Sequence, residues 1–433
     1  VDSREVDAGI VGRGNREGAR LFREWFEDLS RAASEERGAA YVFVMGSLGE
    51  LLRVFDLPLV FPEINSLQTA VRKVAHEYLT EAEDMGYSPD LCGYVKADIA
   101  AQRRGGDLPT GRIPKPAIAV TTNACNTYIK WAEIWERMYR MPCAVIDIPG
   151  SRAEDAIAGP GDRSFENDRR YVAAQLRELI TLLEETTGKR FDPDRLRENL
   201  AHANVMNRGW KRVLELNRSR PSLFNALSDG TIYLGVSNGF RGHAAGAAYF
   251  NDLVEEMEYK RDRGIGTLVD ERWRLAFLGV PCYPIFRRFT ELFTEHGGTF
   301  VGSTYLWFAS GGSNLGYEYE LRDPVESLAE GLLLSVRDAM DSMLFHTRAL
   351  TRMIDEFEVD GVVFHPIKSC RTVSTGLADS RRALMEIRPI PSLFVESDMM
   401  DRRVVSEAQL KNRIDAFFEG LESRRHLAAA GRG

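Results

Sequence analysis

The sequence predicts an α/β protein of two parallel-sheet, truncated Rossmann-like domains behind a helical N-terminal region. Short apolar runs of strand character alternate with longer amphipathic segments between residues 117 and 147. The same rhythm returns from residue 272 onwards. At 433 residues the chain also exceeds one ordinary domain and suits two or three, each able to bury its own core.

Residues 17–36 read as an amphipathic helix, Ala40–Met45 as a strand, Glu50–Phe55 as helical and Leu57–Pro62 as extended. Helical periodicity over 64–86 ends in Met85-Gly86, a C-cap pair. Residues 1–110 are therefore expected as a helical region with short strands, 111–265 as the first α/β domain and 266–433 as the second, with a C-terminal helix. In the first domain Ala117–Thr121, a helix over about 126–140 and Cys143–Asp147 form a β-α-β unit with parallel strands. A Gly-, Pro-, Asp- and Arg-rich surface loop over 150–164 precedes helices at about 165–187 and 192–217, the second with Asp192 and Pro193 in N-cap and first-turn positions. In the second domain Arg272–Leu278, Gly298–Val301, Gly361–Phe364 and Ser392–Val395 are strands. Helices are expected near 286–293, 324–345, 347–357, 377–386 and 406–423. Ligands belong in the cleft facing the carboxyl ends of the strands. No repeat with a period of 20–50 residues is visible.

Charge and composition narrow the function. A net charge of −8 without a dense Lys/Arg block excludes a nucleic-acid binder. No apolar run reaches the ~18 residues of a membrane span. The start, Val1-Asp-Ser-Arg-Glu5, lacks the apolar core of a signal peptide, so a cytoplasmic location is expected. Five cysteines, an odd number, argue against a disulfide framework.

Three of those cysteines occupy suggestive positions. Cys125, in Thr121–Thr127, and Cys370, in Phe364–Cys370, each follow a strand and precede a helix. The dipole and free N–H groups of a helix N-terminus stabilise thiolates and acidic cluster sulfurs there. Cys92, in Ser88–Tyr94, falls on the turn between two predicted helices. Cys143 opens a predicted strand and reads as a core residue. Cys282, in Gly279–Pro284, is open between packing and a role in the cleft. The spacing of 92, 125 and 370 matches neither a compact ferredoxin pattern nor a CxxC zinc pattern, so packing and ligation both stand at this point.

The flanking segments carry more. Gly49–Glu63, Gly86–Asp98, Cys125-Asn-Thr-Tyr-Ile-Lys-Trp131, Asp360–Cys370 and Val395–Arg413 resemble the benzoyl-CoA reductase/2-hydroxyacyl-CoA dehydratase family, in the same order over roughly residues 40–422. Within it, Gln68–Lys73 and Tyr94–Asp98 are most similar to B-type subunits of ATP-dependent benzoyl-CoA reductases. The resemblance implies that Cys92, Cys125 and Cys370 ligate a 4Fe-4S cluster between the domains, the fourth iron being left to water, substrate or a non-protein ligand. It further implies an acyl-CoA substrate, a related cluster-bearing C-type subunit as heterodimer partner, and a separate ATP-hydrolysing iron–sulfur activator that supplies low-potential electrons. No Gly-x-x-x-x-Gly-Lys-Ser/Thr loop occurs here, which places ATP on the partner.

Other residues carry paired readings. Glu63, after Phe61-Pro62, is a proton donor or substrate-orienting group, or a surface carboxylate. Ser47 and Glu50 approach the fourth iron or the thioester, or Ser47 caps the helix that begins there. His365 transfers protons or is a satisfied structural residue. Lys368 and Arg371 bind CoA phosphates or offset the charge of a reduced cluster, or are solvated cations. The aromatic and then Gly-rich run 307–316 lines an acyl pocket or is an ordinary loop. The leading expectation is reductive dearomatisation of a benzoyl-CoA-like thioester. The alternatives are a 2-hydroxyacyl-CoA dehydratase working through a ketyl radical, an electron-relay subunit without substrate, an enlarged double cluster involving Cys282, and a metal-free two-lobed binding protein.

Overall fold

The computed structural model describes residues 7, 9–150, 159–308, 316–337 and 345–430. Its strands, in chain order, are β1 Ala39–Val42, β2 Leu59–Val60, β3 Asp107–Leu108, β4 Gly111–Arg112 and β5 Pro116–Thr122. They continue with β6 Cys143–Ile146, β7 Trp273–Leu278, β8 Gly298–Ser303, β9 Gly361–Phe364 and β10 Ser392–Phe394. Two four-stranded sheets result, in the orders β2-β1-β5-β6 and β10-β9-β7-β8, while β3 and β4 make a small antiparallel ribbon. Every pairing in the two larger sheets is parallel. Parallel neighbours need long crossovers, and the intervening helices supply them. β1, β7, β8 and β9 are buried along their whole length, as strands covered on both faces must be. Arg274 in β7 is tolerated there because its guanidinium donates to the carbonyls of Phe357 and Ser219 and pairs with Glu271 at 2.7 Å.

Numbered within its own sheet, each lobe has the strand order 2-1-3-4. The switch point lies between β1 and β5 in the first lobe and between β7 and β9 in the second. The first sheet draws β1 and β2 from before residue 111, so the boundary expected at 110 runs through a sheet. Two apolar cores match the two sheets. The helix Pro193–Leu216 belongs to both: Leu196, Leu200 and Ala203 sit in the first core, Met206, Trp210 and Val213 in the second. Asp192 caps it, accepting from the amides of Asp194 and Arg195 as its sequence predicts.

Element bounds follow the expected ones with local differences. The helix read over 64–86 is two, Pro62–Val71 and Ala75–Asp84, separated where Lys73 takes a φ of 63°. Helices Ser228–Gly239 and Ala244–Arg263 occupy a stretch in which the sequence reading placed no element. Of the loop expected over 150–164, residues 151–158 lie outside the described residues, as do 309–315 of the run 307–316 and 338–344 of the helix expected over 324–345. Among the described residues no helix is long and apolar enough to cross a membrane.

Candidate functional site

The carboxyl ends of the two sheets carry equivalent sets of side chains. In the first lobe Ser47 follows β1, Glu63 follows β2 and Cys125 follows β5. In the second, Tyr283 follows β7, Tyr305 follows β8 and Cys370 follows β9. Cys125 and Cys370 thus occupy the same topological position in the two lobes, beside each switch point, where α/β sheets bind ligands. Cys92 reaches the site from the turn preceding the helix Gly93–Arg103.

Each of these cysteines is the N-cap residue of a helix: Cys92 for Gly93–Arg103, Cys125 for Asn126–Tyr139 and Cys370 for Arg371–Ser374. Burial pushes the Cys92 thiol well up, and the nearby Cys370 and Cys125 push it further, while the amides of Val95 and Tyr94 oppose this. Burial likewise raises the Cys370 thiol to about 12, with the amide of Val373 opposing and Cys125 and Asp398 adding to it. The three thiols therefore sense one another, and joint ionisation in this half-buried place calls for a compensating cation. Among the described residues no three His, Cys, Asp or Glu side chains converge tightly enough to hold a single metal ion.

Three braces hold the cysteines in relation to each other. Asp98, buried in the Cys92 helix, accepts through Oδ2 from the indoles of Trp131 (2.8 Å) and Trp135 (2.7 Å) in the Cys125 helix. Its Oδ1 accepts from Gln102 at 2.9 Å, and burial still lifts its carboxyl to about 6. Between Cys125 and Cys370 the link is Thr372, whose Oγ1 lies 3.2 Å from Cys125 Sγ. Asp398 joins Cys370 to Cys92. One of its oxygens accepts from the amide of Ser369 at 2.9 Å, the other from Met400 and Asp401 at 2.8 and 3.0 Å. Met400 then lies directly on Gly93, where an added Cβ would stand 2.5 Å from Met400 Cβ, so only glycine fits after Cys92.

Glu63 is buried, not a surface carboxylate. Its Oε2 accepts from the amide of Val44 at 2.7 Å and its Oε1 from the hydroxyl of Tyr128 at 2.6 Å. Burial outweighs both bonds and raises its carboxyl to about 7. The Tyr128 ring is set by stacking on Phe43, with centroids 3.9 Å apart. Ser47 is buried too, but the helix Gly49–Leu52 has Leu48 at its N-cap with no side-chain cap bond, so Ser47 is not its cap. Glu50 is taken up by Arg241 at 2.6 Å and by the hydroxyl of Tyr319 at 3.2 Å, away from any open role.

His365 has no ring nitrogen free for proton transfer. Nδ1 lies 2.6 Å from the carbonyl of Val280 and Nε2 2.5 Å from Ser397 Oγ, while burial lowers its pKa to about 4. It is a neutral brace between the ends of β7 and β10. Fully buried Cys282 meets the same Ser397 hydroxyl, and its thiol is raised to about 11 by burial. Cys143 is half-buried in β6 and is raised to about 11 for the same reason. Lys368 and Arg371 are exposed beside Cys370, Arg371 donating to the Lys368 carbonyl at 2.7 Å.

No local sequence pattern assigns a role to Tyr94, Tyr128, Tyr283, Tyr305, Asp98 or Asp398. A tyrosine just past a strand or in the first turn of a helix is a common packing residue, and only the meeting of the lobes separates these from others. Several buried polar groups next to the site have no hydrogen-bond partner: the Tyr94 hydroxyl, Ser369 Oγ and both amide atoms of Asn65. Each such group costs about 1–3 kcal/mol when left unpaired, and sites that persist with that cost are commonly completed by a ligand.

The family model of the 2-hydroxyglutaryl-CoA dehydratase D-component matches residues 49–421. The B-type subunit of benzoyl-CoA reductase from Thauera aromatica is 32% identical over 398 residues, 89% of each chain. The (R)-2-hydroxyisocaproyl-CoA dehydratase alpha subunit of Clostridioides difficile is 28% identical over 421 residues, 94% of this chain and 96% of the relative. The (R)-phenyllactyl-CoA dehydratase alpha subunit of Clostridium sporogenes is 27% identical over 383 residues, 87% and 88%. The resemblance read from the cysteine-bearing segments is thereby borne out, and the chain belongs to the 2-hydroxyglutaryl-CoA dehydratase D-component family, which joins B-type benzoyl-CoA reductase subunits with 2-hydroxyacyl-CoA dehydratase subunits.

Proposed function

We propose that this chain is the iron–sulfur subunit of an oxygen-sensitive acyl-CoA enzyme that dearomatises a benzoyl-CoA-like thioester. The observation that carries the reading is the arrangement of Cys92, Cys125 and Cys370, each at a helix N-terminus and each within electrostatic reach of the others. Three thiols in one electrostatic neighbourhood, beside unpaired buried groups such as Ser369 Oγ, suit a 4Fe-4S cluster as the body between them. Such a cluster, when bound, supplies low-potential one-electron transfer. The chain's own residues supply the rest. The helix N-termini favour the thiolates, and the paired lobes exclude water from the reacting groups. Glu63, half-protonated near neutral pH, donates one of the two protons that accompany two electrons into the ring. A related subunit and an ATP-hydrolysing activator complete the enzyme, the relatives themselves being subunits.

The identity to the reductase relative over 89% of the chain favours the reductase. The (R)-2-hydroxyisocaproyl-CoA dehydratase alpha subunit, matched over 94% of this chain, favours the second reading, a 2-hydroxyacyl-CoA dehydratase. Stoichiometry separates them. Co-purified anaerobically with its partner subunit and activator, the enzyme is expected to consume reductant in proportion to benzoyl-CoA turned over. Turnover of a 2-hydroxyacyl-CoA on a trace of reductant would replace the first reading by the second.

A further inference from the structure

Tyr283 and Tyr305 stand in the second lobe at the strand ends that Ser47 and Glu63 occupy in the first, and their hydroxyls lie 3.3 Å apart. Tyr94 faces them from the first turn of the Cys92 helix. Its carbonyl accepts from Ser66 Oγ at 3.0 Å, and Ser66 lies one turn beyond Glu63 on the same helix face. The Tyr94 side chain is only 7% exposed, yet its hydroxyl has no hydrogen-bond partner. The ionisable groups around it are Tyr283, Tyr305, Glu63 and Cys92, in falling order of influence. It is close enough to the hydroxyls of Tyr283 and Tyr305 to weigh on both as a donor would, but it meets full hydrogen-bond geometry with neither. A buried phenol held among phenols and a carboxyl group, with its proton unassigned, is a donor waiting for an acceptor.

The site is reached from outside. Tyr283 also lines a groove of about 820 Å³ whose walls carry Lys73, Arg287, Arg288, Arg402 and Arg403 against two glutamates. Arg287, Arg288, Arg402 and Arg403 are held in ion pairs with Glu291, Glu295, Glu407 and Glu83, and a phosphorylated handle entering the groove would compete with those carboxylates for them.

We propose that Tyr94 is a catalytic residue whose hydroxyl donates a hydrogen bond to the thioester oxygen of the substrate, with Tyr283 and Tyr305 fixing where that oxygen sits. The inference rests on the acyl-CoA reading above. When one electron from the external low-potential donor enters the thioester carbonyl, no bond breaks and the negative charge gathers on oxygen. Tyr94 keeps its proton and shares it with that oxygen more strongly than in the ground state, which is the condition for lowering the barrier.

The test uses the complete anaerobic enzyme with Tyr94→Phe and Tyr305→Phe. Tyr94→Phe is expected to lower kcat by about 10²–10³-fold, with KM changed less than about threefold. Its iron content and electron paramagnetic resonance spectrum should match the wild type. Tyr305→Phe should cost less, about tenfold, because it acts through position alone. Infrared difference spectra of bound benzoyl-CoA without reductant give a second readout. The thioester carbonyl band should lie at lower wavenumber in the wild type than in Tyr94→Phe. A Tyr94→Phe enzyme within about twofold of wild-type kcat, unshifted carbonyl bands, or a loss of activity that merely tracks lost iron would overturn the role of Tyr94 while leaving the functional reading intact. A wild-type enzyme that holds no iron, or turns over neither class of thioester, sinks that reading and the inference with it.

Discussion

Glu63 shows how a single environment sets a residue's chemistry. Two hydrogen bonds favour its carboxylate, burial opposes them more strongly, and the pKa comes to about 7. The folded-state value lies above the unfolded one, so the folded chain binds the extra proton. This contribution to stability is full below about pH 4.5 and is lost as pH rises through about 7. Glu63→Gln removes the dependence. Between about pH 5 and about pH 8 the variant should gain on the order of 3 kcal/mol relative to the wild type in denaturant titrations. Parallel stability curves would refute the shift. The same substitution should lower kcat by about 10²–10⁴-fold and abolish the alkaline fall in rate. The cysteines make a matching test at this scale. Cys125→Ser and Cys370→Ser are expected to lose most bound iron after anaerobic purification, and Cys143→Ser to keep it, as measured by iron analysis. Equal iron in all three would dissolve the ligand assignment.

At the scale of elements, the three cysteines depend on contacts none of them makes. Asp98 joins the Cys92 helix to the Cys125 helix through two indole N–H bonds. Asp98→Ala orphans both donors at about 1–3 kcal/mol each. A drop of several kcal/mol in unfolding free energy is expected, with lower iron occupancy because the separation of Cys92 and Cys125 is no longer held. Asp98→Asn keeps an acceptor for the indoles and should lose far less. Anaerobic thermal unfolding beside iron analysis checks this, and an alanine variant of wild-type stability would show that the brace does not hold. Trp131 and Trp135, four residues apart on one helix face, are legible in the sequence as a buried stripe. Their shared acceptor is not, because Asp98 in a helix reads as an exposed residue until its partners are known. His365 shows the same dependence on partners distant in sequence. A histidine at a strand end before a cysteine suggests proton transfer, but the Val280 carbonyl and the Ser397 hydroxyl occupy both its nitrogens.

Across the whole molecule, two sheets of the same 2-1-3-4 order bring Cys125 and Cys370 to equivalent places. The repeat escapes the sequence because the lobes share a path and not a residue pattern. Strand after strand of the second lobe is nevertheless readable, since a short apolar run between helical periods has few other folds. The first boundary, expected at 110, falls inside a sheet because β1 and β2 are short and lie among helices, and their sheet partner β5 begins only at Pro116. Local patterning determined that the chain is α/β, where most of its strands lie, and that Cys125 and Cys370 sit between a strand and a helix. The segments around the cysteines were enough to place the chain in its family. Only the tertiary structure decided that Glu63 is buried, that His365 is spoken for, and that two tyrosines of the second lobe stand beside the Tyr94 hydroxyl. The reason is physical: burial, hydrogen-bond partners and shifted pKa values are properties of neighbours distant in sequence, and no local pattern carries them.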